Sequence, residues 1–294
     1  MRIAFIGAGI MGEPMCRHLL NAGYDVHTGP RSAERVARLE TIGAVRHERP
    51  VDGVADAEVV MTCLGDEHDV KQVTGELLPH LQDGQLLIDL TTSSAEVARE
   101  LTTAAGRRGV QVVDAPVSGG QGGAEAGTLT VMVGGSEDAV ARATPLLEIF
   151  GGRVTHVGPA GAGQVCKAAN QMIVAATISA VAEALLLSER AGVDPAKVHA
   201  ALRGGFADST VLGVHGQRIL DQDHEPGFRA ELHEKDLRLA LDLARNTGTP
   251  LPTTSVAAQL LAGLRGAGEQ DLDHSALDRT LRRLAGAELR EREA

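Results

Sequence analysis

Apolar positions along the chain follow two regimes. Up to residue 163, short apolar runs alternate with amphipathic stretches. The runs predict strands over Arg2–Ile6, Asp25–Thr28, Val59–Leu64, Leu86–Leu90, Val110–Val113, Leu129–Val133 and Arg153–Val157. The stretches between them predict helices over Glu13–Ala22, Ser32–Ile42, Ala95–Arg108 and Glu137–Phe150. Strands separated by helices of this length need crossover connections, hence an α/β fold with a largely parallel sheet. Then the pattern changes. Gln164–Ala191 contains no glycine or proline, which predicts one helix of about 40 Å. Its apolar residues wrap around several faces, so it must be buried on several sides. Beyond it only helical patterns remain, over Lys197–Leu202, Ser209–Leu220, Leu232–Asn246, Thr254–Leu264 and Ser275–Ala285. The expected division is residues 1–163 and an all-helical 164–294, with 164–191 as an interdomain helix and the active site in the cleft between the two domains. The charged tail from Glu288 is expected to fray.

Composition narrows the function classes. Net charge is −11, and there are one Tyr, four Phe and no Trp. That argues against nucleic acid and anionic membranes as partners. Three cysteines, Cys16, Cys63 and Cys166, make no CxxC pair and read as buried small hydrophobes in a reducing cytoplasm. The N-terminus has no secretory pattern. The longest apolar run, Met172–Ala182, falls short of the roughly 20 residues a membrane span needs, so a soluble protein is expected. His18, His27, His47, His68, His80 and His156 lack ligand spacing, and no metal is expected.

The candidate chemistry begins at Gly7-Ala8-Gly9-Ile10-Met11-Gly12, a GxGxxG between a strand and a helix. The first glycine permits the turn, the second lets backbone approach a pyrophosphate, and the third lets helix and strand pack. The first domain therefore reads as a Rossmann-type dinucleotide-binding domain, with Gly7, Gly9, Ile10, Met11 and Gly12 at the cofactor. The second strand runs into Val26-His27-Thr28-Gly29-Pro30-Arg31-Ser32 with no acid at its end to bind a ribose 2′-hydroxyl. Arg31, with Ser32 beside it and Arg35 one turn on, faces nothing acidic and predicts a preference for NADP(H), with NAD(H) possible. Thr91 ends a strand where such sheets bind ligands, or caps the next helix. Ser118-Gly119-Gly120 can offer a hydroxyl and backbone N–H groups to a carboxylate, or can be a plain turn. Lys167, Asn170 and Gln171 share one helix face at i, i+3 and i+4. A lysine there is either functional or a snorkelling surface residue.

Gly7–Met15, Asp114–Gly120 with Ala124 and Gly127–Leu129, Gly161–Asn170 and Lys235-Asp236 together resemble the β-hydroxyacid dehydrogenase family over nearly the whole chain. The finer detail, Lys167–Gln171, Arg203–Phe206, Leu232–Leu237 and Asp273–Leu277 among it, resembles the tartronate semialdehyde reductase (2-hydroxy-3-oxopropionate reductase) branch. Gly65, where the family commonly has proline, is a departure in a loop near the cofactor, beside Leu64. The resemblance implies a nicotinamide-dependent oxidoreductase interconverting a short semialdehyde acid and its hydroxy acid, assembled as a homodimer or homotetramer. It implies Lys167 as the catalytic residue, Asn170 as an orienter of substrate, Ser118 with Gly119 and Gly120 at the carboxylate, and Leu64, Thr91 and Lys235 at the cofactor. The alternatives are 3-hydroxyisobutyrate or 4-hydroxybutyrate as substrate, an imine reductase, and a non-catalytic NADPH-binding protein.

Overall fold

In the computed structural model, residues 1–29 and 33–289 are described. They fall into two compact units, Met1–Lys167 and Ala168 onward. The first unit carries β1 (Arg2–Ile6), α1 (Gly12–Asn21), β2 (Asp25–Thr28), α2 (Ala33–Glu40), β3 (Val45–Arg46), β4 (Val59–Thr62), α3 (Glu67–Leu77), β5 (Leu86–Asp89), α4 (Ala95–Gly106) and β6 (Gln111–Asp114). It continues with β7 (Val117–Ser118), α5 (Gly120–Ala126), β8 (Leu129–Gly135), α6 (Glu137–Leu147) and β9 (Gly151–Gly158). The sheet order is 3-2-1-4-5-6-8-7, with β9 on β8. From β3 to β6 every pairing is parallel, and 3-2-1-4-5-6 is the doubly wound dinucleotide-binding order. β8 then runs antiparallel to both β6 and β7.

Strand periodicity builds both faces of this sheet. Ile3 and Phe5 join Met15, Leu19, Met61 and Ile88 in one core, whereas Ala4 and Ile6 join Val60, Val70, Leu87 and Leu101 in the other. Successive side chains point to opposite faces, so a strand covered on both sides must be apolar throughout.

The second unit is helical. The long α7 (Ala162–Arg190) enters it, followed by α8 (Pro195–Leu202), a π-helical turn (Leu212–Gly216), α9 (Gln217–Asp221), α10 (Ala230–Thr247), α11 (Pro252–Gly266) and α12 (Leu277–Leu284). α7 starts two residues earlier than its glycine-free run, because Gly163 lies inside its first turn. By length and hydropathy this helix could cross a membrane, which the run-length argument overlooked. Instead its Ala175, Ile178, Val181, Ala182 and Leu185 lie in the second unit's core with Leu237, Leu261 and Leu277. The three cysteines form no disulfide; Cys16 is buried, Cys63 and Cys166 half-buried.

Buried Asp89 ends β5, where its Oδ1 accepts hydrogen bonds from the Thr62 hydroxyl (2.9 Å) and the Thr91 N–H (3.1 Å). Burial nevertheless pushes its carboxyl up to about 6. Because the native value lies above the unfolded one, the stabilising contribution is full below about pH 4 and is lost as pH rises through 6. Asp89→Asn keeps an acceptor for both donors. In urea unfolding it should match wild type near pH 4 and exceed it at pH 8 by on the order of 1–3 kcal/mol. A variant that gains nothing at pH 8 contradicts this account.

Candidate active site

The glycine loop divides into fold-required and open positions. A Cβ on Gly7, which sits at φ +103°, would lie 2.1 Å from the Cys63 carbonyl oxygen. One on Gly12 would lie 2.1 Å from the Gly7 carbonyl oxygen. A Cβ on Gly9 would meet nothing nearer than 4.0 Å, so packing within the protein does not demand glycine there. Open space at the second glycine, before a helix whose N-cap Met11 supplies no capping side chain, fits a pyrophosphate approached by backbone N–H groups. Ile10 is exposed at the tip of this loop.

Glu13, in the first turn of α1, is buried yet charged. Arg38 donates to both its carboxylate oxygens (2.9 and 2.8 Å), and Arg35 (2.9 Å) and Arg17 (3.0 Å) add one bond each. The Arg38 bonds foremost, with those of Arg35, pull its carboxyl down to about 2. Arg35 thus has an acid partner of its own; Glu13 is 22 residues away in sequence but adjacent in space. Arg31 and Ser32 lie outside the described residues.

Leu64 and Thr91 come together beside the loop. The Leu64 N–H donates to the Thr91 hydroxyl at 2.9 Å, so Thr91 ties the ends of β4 and β5 and does not cap α4; Ser94 does. The Gln164 side chain donates to the Thr91 carbonyl (2.8 Å) and accepts from the Ser93 N–H (3.0 Å). From the other side, the buried carboxylate of Asp114, at the end of β6, accepts from the Gly161 N–H (2.7 Å) and the Gln164 N–H (3.1 Å). Burial raises the Asp114 carboxyl above its ordinary value, and these N–H bonds oppose the rise. The first turn of α7 is therefore tied to two strand ends. Lys167 follows one turn later and is only 6% exposed, which removes the reading of a snorkelling surface lysine. Ser118 ends β7, paired with Thr130 and half-buried, and Gly119 and Gly120 both take positive φ (+139° and +61°).

In the second unit, Gln171 donates to Asp236 Oδ2 (2.7 Å) and accepts from Asn170 Nδ2 (2.8 Å). A carboxylate can only accept, so Asp236 fixes both amide orientations. Lys235 Nζ lies 3.2 Å from Asp236 Oδ1, which places Lys235, Gln171 and Asn170 in one network. Asp114, Gln164, Glu13 and Asp236 escaped sequence reasoning as positioning groups. Among the described residues, His215, Asp273 and His274 approach one another within 4.8 Å. Asp273 is already filled by Gly227 N–H, Phe228 N–H, Ser275 N–H, Ser275 hydroxyl and Arg218, and a guanidinium 2.9 Å away does not suit a cation site.

Residues 2–158 match the NAD-binding domain of 6-phosphogluconate dehydrogenase, and residues 161–281 match the NAD-binding family of NADP-dependent 3-hydroxyisobutyrate dehydrogenase. The chain belongs to the β-hydroxyacid dehydrogenase family. It is 40% identical to a 2-hydroxy-3-oxopropionate reductase of Escherichia coli K12, over 98% of this chain and 100% of that one. Among solved structures it is similar to a Mycobacterium tuberculosis 3-hydroxyisobutyrate dehydrogenase with L-serine: TM-score 0.89, 35% identity, 96% and 99% of the two chains. It is also similar to Psf3 in complex with NADP+ and 2-OPP (TM-score 0.85, 28% identity, 95% and 99%). As a β-hydroxyacid dehydrogenase the chain is an NAD(P)-dependent oxidoreductase with a Rossmann-type domain followed by a helical one.

The Glu13 cage gives a test of the loop's support. With its native value depressed, Glu13 contributes stability present above about pH 4.5 and lost as pH falls towards 2. Glu13→Gln should cost about 1–3 kcal/mol at pH 7 in chemical unfolding, with a smaller deficit at pH 3. An equal deficit at both pH values contradicts the charged cage.

Proposed function

We propose that the chain reduces the aldehyde of a short semialdehyde acid to the hydroxy acid, with tartronate semialdehyde as the favoured substrate and NADPH as the favoured reductant. The observation that carries this reading is the buried Lys167 on the face of α7 it shares with Asn170 and Gln171. The bound nicotinamide supplies the hydride. As the carbonyl oxygen gains negative charge, the Lys167 ammonium stabilises it and donates a proton from Nζ. Ser118 and the N–H groups of Gly119 and Gly120 take the substrate carboxylate, and Asn170 orients the polar group beside it. Gly7, Gly9, Ile10, Met11 and Gly12 hold the pyrophosphate, with Leu64, Thr91 and Lys235 towards the nicotinamide half. Likeness to the M. tuberculosis enzyme supports a second reading, 3-hydroxyisobutyrate as substrate, whose semialdehyde carries a methyl where tartronate semialdehyde carries a hydroxyl. A homodimer or homotetramer fits the exposed Ile173 and Leu187 of α7.

A panel of short semialdehyde and hydroxy acids assayed with both cofactors tests the reading. Tartronate semialdehyde should give the highest kcat/KM; a higher value for the 3-hydroxyisobutyrate couple selects the second reading. Lys167→Ala should lower kcat by ~10²–10⁴-fold while NADPH affinity survives, and more than about a tenth of wild-type kcat overturns the general acid.

NADPH should exceed NADH in kcat/KM, and Arg31→Ala should abolish most of that preference through loss of a guanidinium on the 2′-phosphate. A wild type that prefers NADH, or a variant that keeps the full preference, refutes it.

A further inference from the structure

Three histidines of the second unit line up on the active-site helix. His233 lies on α10, His274 in the short 3₁₀ turn His274–Ala276 and His215 in the π-helical turn. His233 Nε2 lies 3.1 Å from the Gln171 carbonyl oxygen. A carbonyl only accepts, so His233 carries its proton on Nε2. In a neutral ring Nδ1 is then bare, and it accepts from His274 Nδ1 at 2.8 Å. His274 in turn has a bare Nε2, which accepts from His215 Nε2 at 3.2 Å. The last nitrogen, His215 Nδ1, ends bare, with no hydrogen-bond partner among the described residues, 3.7 Å from Asp273 Oδ1. One backbone carbonyl thus sets the tautomer of all three rings.

The far end of the chain is rigid. Asp273 is held by the five donors named above, and Phe228 sets its ring edge against His233 and His274 with centroids 5.8 and 5.5 Å apart. Burial first, and Arg218 after it, keep the His215 imidazole below its ordinary value, against the pull of Asp273. His233 is 0% exposed, where a phenyl ring would fill the space without polar atoms to satisfy. A buried polar chain is costly unless its bonds are made, and this one reaches the Gln171 carbonyl through His233. That residue is then fixed twice: its carbonyl by His233, its side chain by Asp236, with the Asn170 amide bonded to it.

We propose that His233, His274 and His215 are positioning residues for the reduction: a one-directional imidazole chain that holds the Gln171 turn of α7 and, through it, the Asn170 amide. The proposal rests on the reading that Asn170 meets substrate. A displacement of about 1 Å at such a group can cost about 10²-fold in rate.

Two measurements on the full-length enzyme test it. The first is ¹⁵N NMR of histidine-labelled protein near pH 8, which reads tautomers directly. Protons on His233 Nε2, His274 Nδ1 and His215 Nε2 are expected; any other pattern overturns the chain. This readout needs no substrate, so it stands even if every semialdehyde acid fails and the functional reading falls. The second is kinetic. His233→Phe should lower kcat at least about tenfold, with the KM for NADPH within about twofold. His233→Gln, which keeps a donor at the Nε2 position, should recover most of the loss. His274→Asn, which keeps the Nδ1 donor, should likewise outperform His274→Leu if the Phe variant does not fold. Equal rates for donor-keeping and donor-lacking variants, or a loss confined to the KM for NADPH, overturn the positioning role.

Discussion

The start of the lysine helix depends on one carboxylate shut away from bulk water. Asp114 meets the first turn of α7 through Gly161 and Gln164 N–H groups, and the space around it admits no other side chain. A Cβ on Gly134 would lie 2.5 Å from Asp114 Oδ1, and one on Gly163 would lie 2.8 Å from Oδ2. Two glycines, a buried acid and the end of β6 therefore specify where α7 begins and in which rotation. Gln164 adds the second tie, to the loop after β5. Lys167, three residues on, inherits both constraints. In the proposed role of Lys167 as general acid, its Nζ has to sit within hydrogen-bond reach of the proton's destination, so the precision of this helix start would bear directly on chemistry.

The same division of labour recurs. Glu13, Asp114, Asp236 and Asp273 are acids that orient other groups by accepting hydrogen bonds, and none is assigned a proton-transfer role. Each fills a low-dielectric position where an unmet bond would be expensive, so each imposes geometry on its donors. The groups proposed for substrate or cofactor are instead two lysines, a guanidinium, an amide, two hydroxyls and backbone N–H groups. All can donate, which suits a dinucleotide and an anionic substrate even though the whole chain carries a net charge of −11.

The alternation of apolar strands and helices in the first unit was legible because a doubly covered parallel sheet needs strands apolar on both faces. The Lys167–Asn170–Gln171 face was legible because helical spacing is visible in sequence. The two-residue strands β3 and β7 are too short to carry a period, and α5 (GQGGAEA) holds three glycines that hide its helicity. Helix α3, starting at Glu67 with Asp66 as its cap, was missed between two recognised strands. Long-range polar ties were the least legible. Glu13 meets Arg35 and Arg38 over 22 and 25 residues, Asp114 meets Gly161 over 47, and His233 meets Gln171 over 62. No local pattern marks such pairs, because the fold brings them together only after the sheet and helices are placed.

Transfer of deuterium from NADPH carrying deuterium at both C4 positions to product tests the central claim most directly. Incubated with tartronate semialdehyde and, separately, with its uncharged methyl ester, the enzyme should place one deuterium on the new alcohol carbon of the acid, with kcat/KM for the acid at least about tenfold above the ester, as loss of a charge-assisted carboxylate contact requires. Absence of label in the product, or equal kcat/KM for acid and ester, would contradict a hydride-transferring site built around a carboxylate.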